Sequence, residues 1–430
     1  MKTDYLQSLL KFMDNSPCNF LAVESIKGML EDAGFKELPL SNKFAIKSGD
    51  KFYFAKNDSA IFAVTVGSKP EAETGFKIIA AHSDSPGFRI KPHGEMLCEG
   101  GIVKLNTEVY GGPILYTWFD RPLSIAGRVI LKGEDALHVV TRTIKIDRPL
   151  LQIAHLAIHF NRAVNEGNKL SKQKDMLPII AHVNDKLEAD NMLLKLVAEQ
   201  LNVAIDDILD FDLLLYDTTP ACTFGLHDEF ISCGRLDDLS MAHAAITAIT
   251  ECADRDTTCV TAIFDNEETG SGTKQGAGSP VLANALRRLV EARGGSFDDF
   301  GRALQRTFMV SADNAHAFHP NYAEKFDPTN HPSLGGGPCI KINSNCKYMT
   351  DAHSAAIFKN LCIEAGSPYQ YFVNHSDVAG GSTLGNILTA QIDIEGVDVG
   401  NPLLAMHSAR ETASVADHLN MIAVFKKFFS

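Results

Sequence analysis

The stretch Thr257-Thr258-Cys259-Val260-Thr261-Ala262-Ile263-Phe264-Asp265-Asn266-Glu267-Glu268-Thr269-Gly270-Ser271-Gly272 decides the fold. Residues 258–264 are a compact apolar run of strand length, and it stops abruptly at acids and glycine. Such a run reads as a strand buried on both faces, the kind found in parallel sheets covered by helices. A helical pattern at 241–252 precedes it, and another at 280–292 follows. The rhythm continues with strands at 307–311 and 340–343, a helix at 352–365 and a strand at 369–373. Upstream, residues 77–82 (KIIAAH) repeat the buried-strand signature, and 51–55 and 60–66 are rich in aromatic and β-branched residues. Residues 5–34 read as helix, broken at Ser16-Pro17 and closed by Gly34. Strands alternating with helices predict an α/β fold with a mixed, mostly parallel sheet sandwiched by helices.

Between these two runs of α/β texture the pattern changes. Residues 102–109, 125–132 and 137–146 alternate or carry many β-branched side chains, with glycine breaks at Gly111-Gly112 and Gly133. Polar loop covers 165–175, and 189–201 returns to helix. The expected organisation is one α/β domain built from residues 1–91 and 234–430, interrupted by a β-rich domain at 92–233. A chain of 430 residues has room for two to three domains.

Bulk composition narrows the function classes. The net charge of -13 argues against a broad nucleic-acid footprint, which needs clustered positive charge. No run of about 18 apolar residues occurs, so no membrane-spanning segment is expected. The nine cysteines are widely spaced without a CxxC, which argues against both a disulfide framework and a zinc finger. The start Met1-Lys2-Thr3-Asp4-Tyr5 carries charges and no apolar core of a signal peptide. The expected compartment is the cytoplasm, with reduced thiols.

Five segments place His, Asp or Glu at or near strand ends, where open α/β sheets bind ligands. His82 ends the run 77–82 and is followed by Asp84, a carboxylate able to orient a metal-binding imidazole. Taken alone, Ser83-Asp84-Ser85-Pro86-Gly87 reads equally as a capped turn. Arg235-Leu236-Asp237-Asp238 offers a carboxylate able to bridge two cations, or an ordinary helix N-cap. The adjacent Glu267 and Glu268 point in different directions from a strand end. One can hold a metal while the other takes the proton of an attacking water, as metal-assisted hydrolysis requires. Asp313 follows the strand at 307–311. His407, in Leu404-Ala405-Met406-His407, reads alone as a satisfied helical histidine. Together the five supply two His and three acidic ligands with one Glu to spare. That mixed N/O set suits two zinc-like divalent ions bridged by a carboxylate.

Other chemistries find less support. His155 and His159 have the spacing of a zincin helix but lack the Glu of H-E-x-x-H. There is no G-x-S-x-G for a serine hydrolase and no GxxxxGK[ST] for a phosphate loop. A dinuclear carboxypeptidase or deacylase, and an inactive assembly or cargo-binding shell, stay open at this level.

The stretches AHSDSPGFR, TWFDRPLSIAGRV, HLAIHFNR, GRLDDL, DNEETGS, SADNAHAFHPNY, GPCIKINSNCKY and GNPLLAMHSARE resemble the aspartyl aminopeptidase family, the M18 metallopeptidases, over nearly the whole chain. The resemblance implies a zinc-peptidase-like catalytic domain with an inserted dimerisation domain. It implies two divalent ions, zinc with Mn or Co as the alternative in one site, held by His82, Asp237, Glu268, Asp313 and His407, with Asp237 bridging. Glu267 would be the general base and Asp84 would orient His82. His159 would reach a partner subunit's active site, and His316, Lys341 and Tyr348 would contact substrate. The implied substrate is a peptide with a free N-terminus and an acidic first residue. The implied assembly is a homo-oligomer in which dimers build a tetrahedral dodecamer. Many members have RLDN where this chain has RLDD, which places Asp238 beside the bridging ligand. Lys341 sits inside the apolar run Ile340-Lys341-Ile342, where a buried cation needs a partner unless its head reaches water.

Overall fold

The computed structural model describes residues 2–184 and 191–430. The chain forms two compact units. The first comprises Met1–Asp84, Ala221–Met406 and Glu411–Ser430; the second comprises Ser85–Pro220 and His407–Arg410.

The first unit is built on a nine-stranded mixed sheet. Its spatial order is Lys36–Glu37, Lys51–Lys56, Ala60–Thr65, Thr258–Phe264, Phe76–His82, Phe308–Ala312, Glu395–Gly400, Cys339–Lys341 and Gln370–Phe372. The central neighbours Thr258–Phe264, Phe76–His82, Phe308–Ala312 and Glu395–Gly400 run parallel, so their C-terminal ends share one edge. Alternation sorts their side chains into two cores. Ile79, Ala81, Cys259 and Ile263 join the core beneath the helices Leu236–Thr250 and Val415–Phe428. Ile78, Ala80, Val260, Ala262 and Phe264 join the opposite core, beneath the helix Val281–Ala292. This is the expected α/β sandwich. A smaller five-stranded sheet adds Cys222–Phe224, Phe230–Cys233, Glu411–Ser414, Pro402–Leu404 and Ala315–His316.

The second unit is a six-stranded antiparallel sheet, ordered His138–Lys145, Leu123–Asp135, Ile208–Asp217, Gly87–Leu97, Ile102–Tyr110 and Ile179–His182. The helix Met192–Leu201 packs Leu193 and Val197 into its core. The first residues of the expected helix at 189–201 lie outside the described residues.

The first unit also buries a pair of histidines. His243 Nδ1 lies 3.1 Å from His418 Nε2, and His243 Nε2 lies 3.0 Å from Ser8 Oγ. Burial holds His418 down to about 4. Burial and then His418 hold His243 well below the usual range. If both rings were charged, two N–H groups would face each other. With both rings held below the usual range, the fold keeps them neutral near pH 7, while the unfolded chain takes up protons below about pH 6.5. The stability this contributes is complete above that pH and is lost as pH falls from about 6.5 toward 4. His418→Gln removes one such site. It should flatten the dependence of unfolding free energy on pH across that window by about 1 kcal/mol per pH unit in denaturant titrations. An unchanged slope would mean that His418 titrates normally in the fold.

Candidate metal centre

Three adjacent parallel strands deliver side chains to one edge of the sheet. His82 ends Phe76–His82 and pairs in register with Phe264, the last residue of Thr258–Phe264. Asp265 to Glu268 follow directly, and Asp313 follows Ala312, the last residue of the next strand. Strand periodicity thus turns sequence-distant acids into neighbours.

His82 is fully buried. Its Nδ1 lies 3.0 Å from the Asp84 carbonyl oxygen and 3.3 Å from Asp84 Oδ1, which aims Nε2 the other way. That Nε2 is buried without a hydrogen-bond partner and faces Asp237 Oδ1 at 3.8 Å. The Asp84 carboxylate also accepts the backbone N–H of Glu267 and that of Glu268, both at 3.1 Å. One side chain therefore orients the histidine and fixes the turn that carries both glutamates.

The helix Leu236–Thr250 begins at Arg235 without a side-chain cap, and Asp237 keeps extended backbone (φ -81°, ψ 107°). Glu411 Oε2 accepts the Asp237 N–H at 3.1 Å. The Asp237–Asp238 peptide is cis. Asp238, fully buried, accepts the His82 N–H through Oδ2 and the Asn314 side-chain amide through Oδ1, both at 3.1 Å.

Ligand atoms of His82, Asp237, Asp238 and Asp313 all lie within 4.8 Å of one another, as do those of His82, Glu267 and Glu268. Burial pushes the Glu267 carboxyl up to about 8, with Asp313 the next cause and His82 opposing. Burial raises Glu268, Asp313 and Asp238 as well. Burial works against charge on His82, but Asp238, Asp84 and Glu267 outweigh it and raise the ring well above its usual value. Six carboxyl groups (Asp84, Asp237, Asp238, Glu267, Glu268 and Asp313) thus crowd one imidazole. Buried carboxylates need cations or metals as partners. Donors about 2.0–2.2 Å from one tetrahedral ion stand roughly 3.4 Å apart, close to the gap between Nε2 and Asp237. The residues present fit a divalent metal, which would draw the raised carboxyl groups back toward ionisation.

Lys341 is 3% exposed, so its head does not reach water, and its Nζ lies 3.5 Å from Asp313 Oδ2. The Tyr348 ring is centred 5.7 Å from that Nζ. His316 is exposed at the end of Ala315–His316, with its ring against Phe372. His407 is not helical: its φ is 67° and its Nδ1 lies 3.1 Å from the Gly112 carbonyl oxygen, both within the second unit. In that unit His155 is tied down, its N–H donating to Asp120 Oδ1 at 3.0 Å and its ring against Phe119. His159, on the turn Ile158–Phe160, is exposed. Sequence reasoning assigned no site role to Asp238, Asn314 or Glu411. The doubled acid at 237–238 was the one available signal.

Buried carboxylates and a histidine at the C-terminal edge of a helix-covered α/β sheet form a ligand set that suits a metal-dependent enzyme. The family model for aminopeptidase I zinc metalloproteases (M18) matches residues 12–429. A probable M18 family aminopeptidase 2 of Clostridium novyi (strain NT) is 50% identical over 429 residues, covering 100% of this chain and 99% of that protein. A protein of the same description from Pseudomonas aeruginosa (strain UCBPP-PA14) is 40% identical over 434 residues, covering 100% and 99%. A chain in the cryo-EM structure of the Ape4 and Nbr1 complex superposes with a TM-score of 0.95 at 34% identity, covering 100% of this chain and 86% of that one. The chain belongs to the M18 family of zinc metallopeptidases and is a metallo-aminopeptidase. The carboxypeptidase, deacylase and inactive-shell readings are not favoured by these matches. Among the described residues, no helix is long and apolar enough to cross a membrane.

Proposed function

We propose that this aminopeptidase holds two divalent ions, zinc with Mn or Co as the alternative in one site, and releases acidic residues from peptide N-termini. The observation that carries the metal reading is the buried His82 Nε2, without a hydrogen-bond partner, facing Asp237 among crowded carboxyl groups. His82, Asp237, Glu268, Asp313 and His407 would hold the ions, with Asp237 shared by both. The ions supply Lewis acidity toward the scissile carbonyl and lower the pKa of water.

The chain's own residues do the rest. Asp84 sets the His82 ring and the glutamate turn. Glu267 takes a proton from the attacking water and returns it to the leaving amine; its place in the cluster beside His82 and Glu268 supports that role. Lys341, buried against Asp313 and beneath Tyr348, is the counter-charge for an acidic first side chain, and His316 and Tyr348 border the substrate. His159 stabilises the oxyanion in a partner subunit, a role its exposure supports. The first unit is the catalytic part and the second serves dimerisation, dimers building a tetrahedral dodecamer; their bounds differ from the expected 1–91 with 234–430 and 92–233, which would split the strand Gly87–Leu97. The family resemblance supports this assembly. That none of the nine cysteines forms a disulfide supports a cytoplasmic setting.

A panel of dipeptides differing in the first residue, each free or N-acetylated, tests the reading. Wild type should cleave N-terminal Glu and Asp best and no acetylated substrate. Lys341→Met should lower kcat/KM for Glu about 10²-fold and for Leu far less, because a buried carboxylate loses its partner. Equal losses on Glu and Leu would remove Lys341 from specificity.

A further inference from the structure

The strand Glu395–Gly400 lies between the two strands that end near Asp313 and at Lys341. It runs parallel to Phe308–Ala312, with Asp398 opposite Ser311, and antiparallel to Cys339–Lys341. Asp398 is fully buried at its centre. Its Oδ2 accepts the backbone N–H of Met349 at 2.6 Å, and its Oδ1 accepts the Thr383 hydroxyl at 2.6 Å. Its own N–H donates to Thr350 Oγ1 at 2.9 Å. A Cβ placed on Gly385 would meet both carboxylate oxygens at 2.5–2.6 Å, so the start of the helix Leu384–Leu388 closes directly over them.

A carboxylate is costly to bury and is retained where its acceptors are used. Here they hold Met349, the residue after Tyr348, while Thr350 is tied to the strand itself. Tyr348 is 7% exposed, and its ring is the wall that Lys341 Nζ faces at 5.7 Å. If the 348–350 segment loosens, that wall shifts and the ammonium gains other directions to point.

We propose that Asp398 is a positioning residue for recognition of the acidic first side chain, acting through the 348–350 segment that sets Tyr348 against Lys341. The inference rests on the acidic-substrate reading above. It concerns hydrogen bonding rather than charge, which makes the conservative variant informative. Asp398→Asn keeps the volume and one carbonyl acceptor for the Met349 N–H, and its amide can donate to Thr383 Oγ1. Asp398→Ala removes both contacts.

The test is the ratio of kcat/KM for Glu-Ala over Leu-Ala, with zinc content and melting temperature measured alongside. Asp398→Ala should cut the ratio about 10-fold, mainly through KM for Glu-Ala, with kcat for Leu-Ala and zinc content retained. Asp398→Asn should restore most of the ratio. Thr383→Val, which removes one contact and keeps the carboxylate, should cut it about 3-fold, and it carries the test alone if the Ala variant does not fold. A wild type without preference for Glu would overturn the acidic-substrate reading and this inference together. A preference that survives in Asp398→Ala and Thr383→Val would overturn the inference alone. So would an Asn variant as impaired as the Ala variant, because charge and not positioning would then be at work.

Discussion

Glu267→Gln is expected to fold, bind its metal and lose about 10²–10⁴-fold in kcat, because only the proton carrier is removed. The substitution is nearly isosteric. The Glu267 N–H that anchors the turn to Asp84 is a backbone group and survives it. Glu268 keeps its own N–H to the other Asp84 oxygen, so the neighbouring ligand should not move. The result should therefore separate cleanly: metal content and melting temperature near wild type, KM changed little, kcat collapsed. Single-turnover assays with a Glu-peptide, with metal analysis on the same sample, would check it. A variant that keeps kcat within a few-fold would take Glu267 out of the mechanism.

His159→Ala is expected to keep its oligomer and metal yet lose about 10²–10³-fold in kcat, the cost of one oxyanion donor. Its neighbour His155 makes a useful contrast. The His155 ring packs on Phe119, while its bond to Asp120 comes from the backbone N–H, so its replacement should act on the stability of the second unit through the lost ring contact. His159 is exposed between Ile158 and Phe160, themselves 49% and 80% exposed, a surface that a partner subunit would cover. If His159 acts in a partner's site, two inactive variants can complement each other. A Glu267→Gln subunit still supplies His159, and a His159→Ala subunit still supplies an intact metal site. Mixing them under exchange conditions should regenerate activity. Co-assembled hybrids as inactive as their parents would exclude a role across subunits.

The sheet edge that carries the site was legible from its strands. KIIAAH and TCVTAIF are compact, mostly apolar runs, and the residue that stops each one stands at the sheet edge. The burial of Lys341 was legible as one of two alternatives, and the structure removes the snorkelling one. Glu395–Gly400 was not legible, although it lies inside the same sheet. Its sequence, EGVDVG, mixes two glycines and two acids into a short strand, so neither hydrophobicity nor alternation marks it. Its buried acid has a structural reason that becomes visible once Met349 and Thr383 converge on it. Gly87–Leu97 was hidden by Pro92 and by His93, whose φ is 53°, where the register with its neighbour shifts between Ile90 and Glu95. For His155 and His159, both regular periods put the two rings on one face, whereas the segment is an irregular chain with a single short turn. His407 illustrates the same limit: a helical pattern was the plain reading, and a left-handed backbone is what occurs.

The central claim is a two-metal aminopeptidase centre built around His82 and Asp237. The most direct test is zinc titration of the metal-free enzyme, with bound zinc counted and hydrolysis of free and N-acetylated Glu-peptides followed in parallel. Activity on the free peptide should rise with zinc, reach its plateau at two ions per chain and never extend to the acetylated peptide. Full activity in the metal-free enzyme, or a plateau at a single bound ion, would contradict that claim.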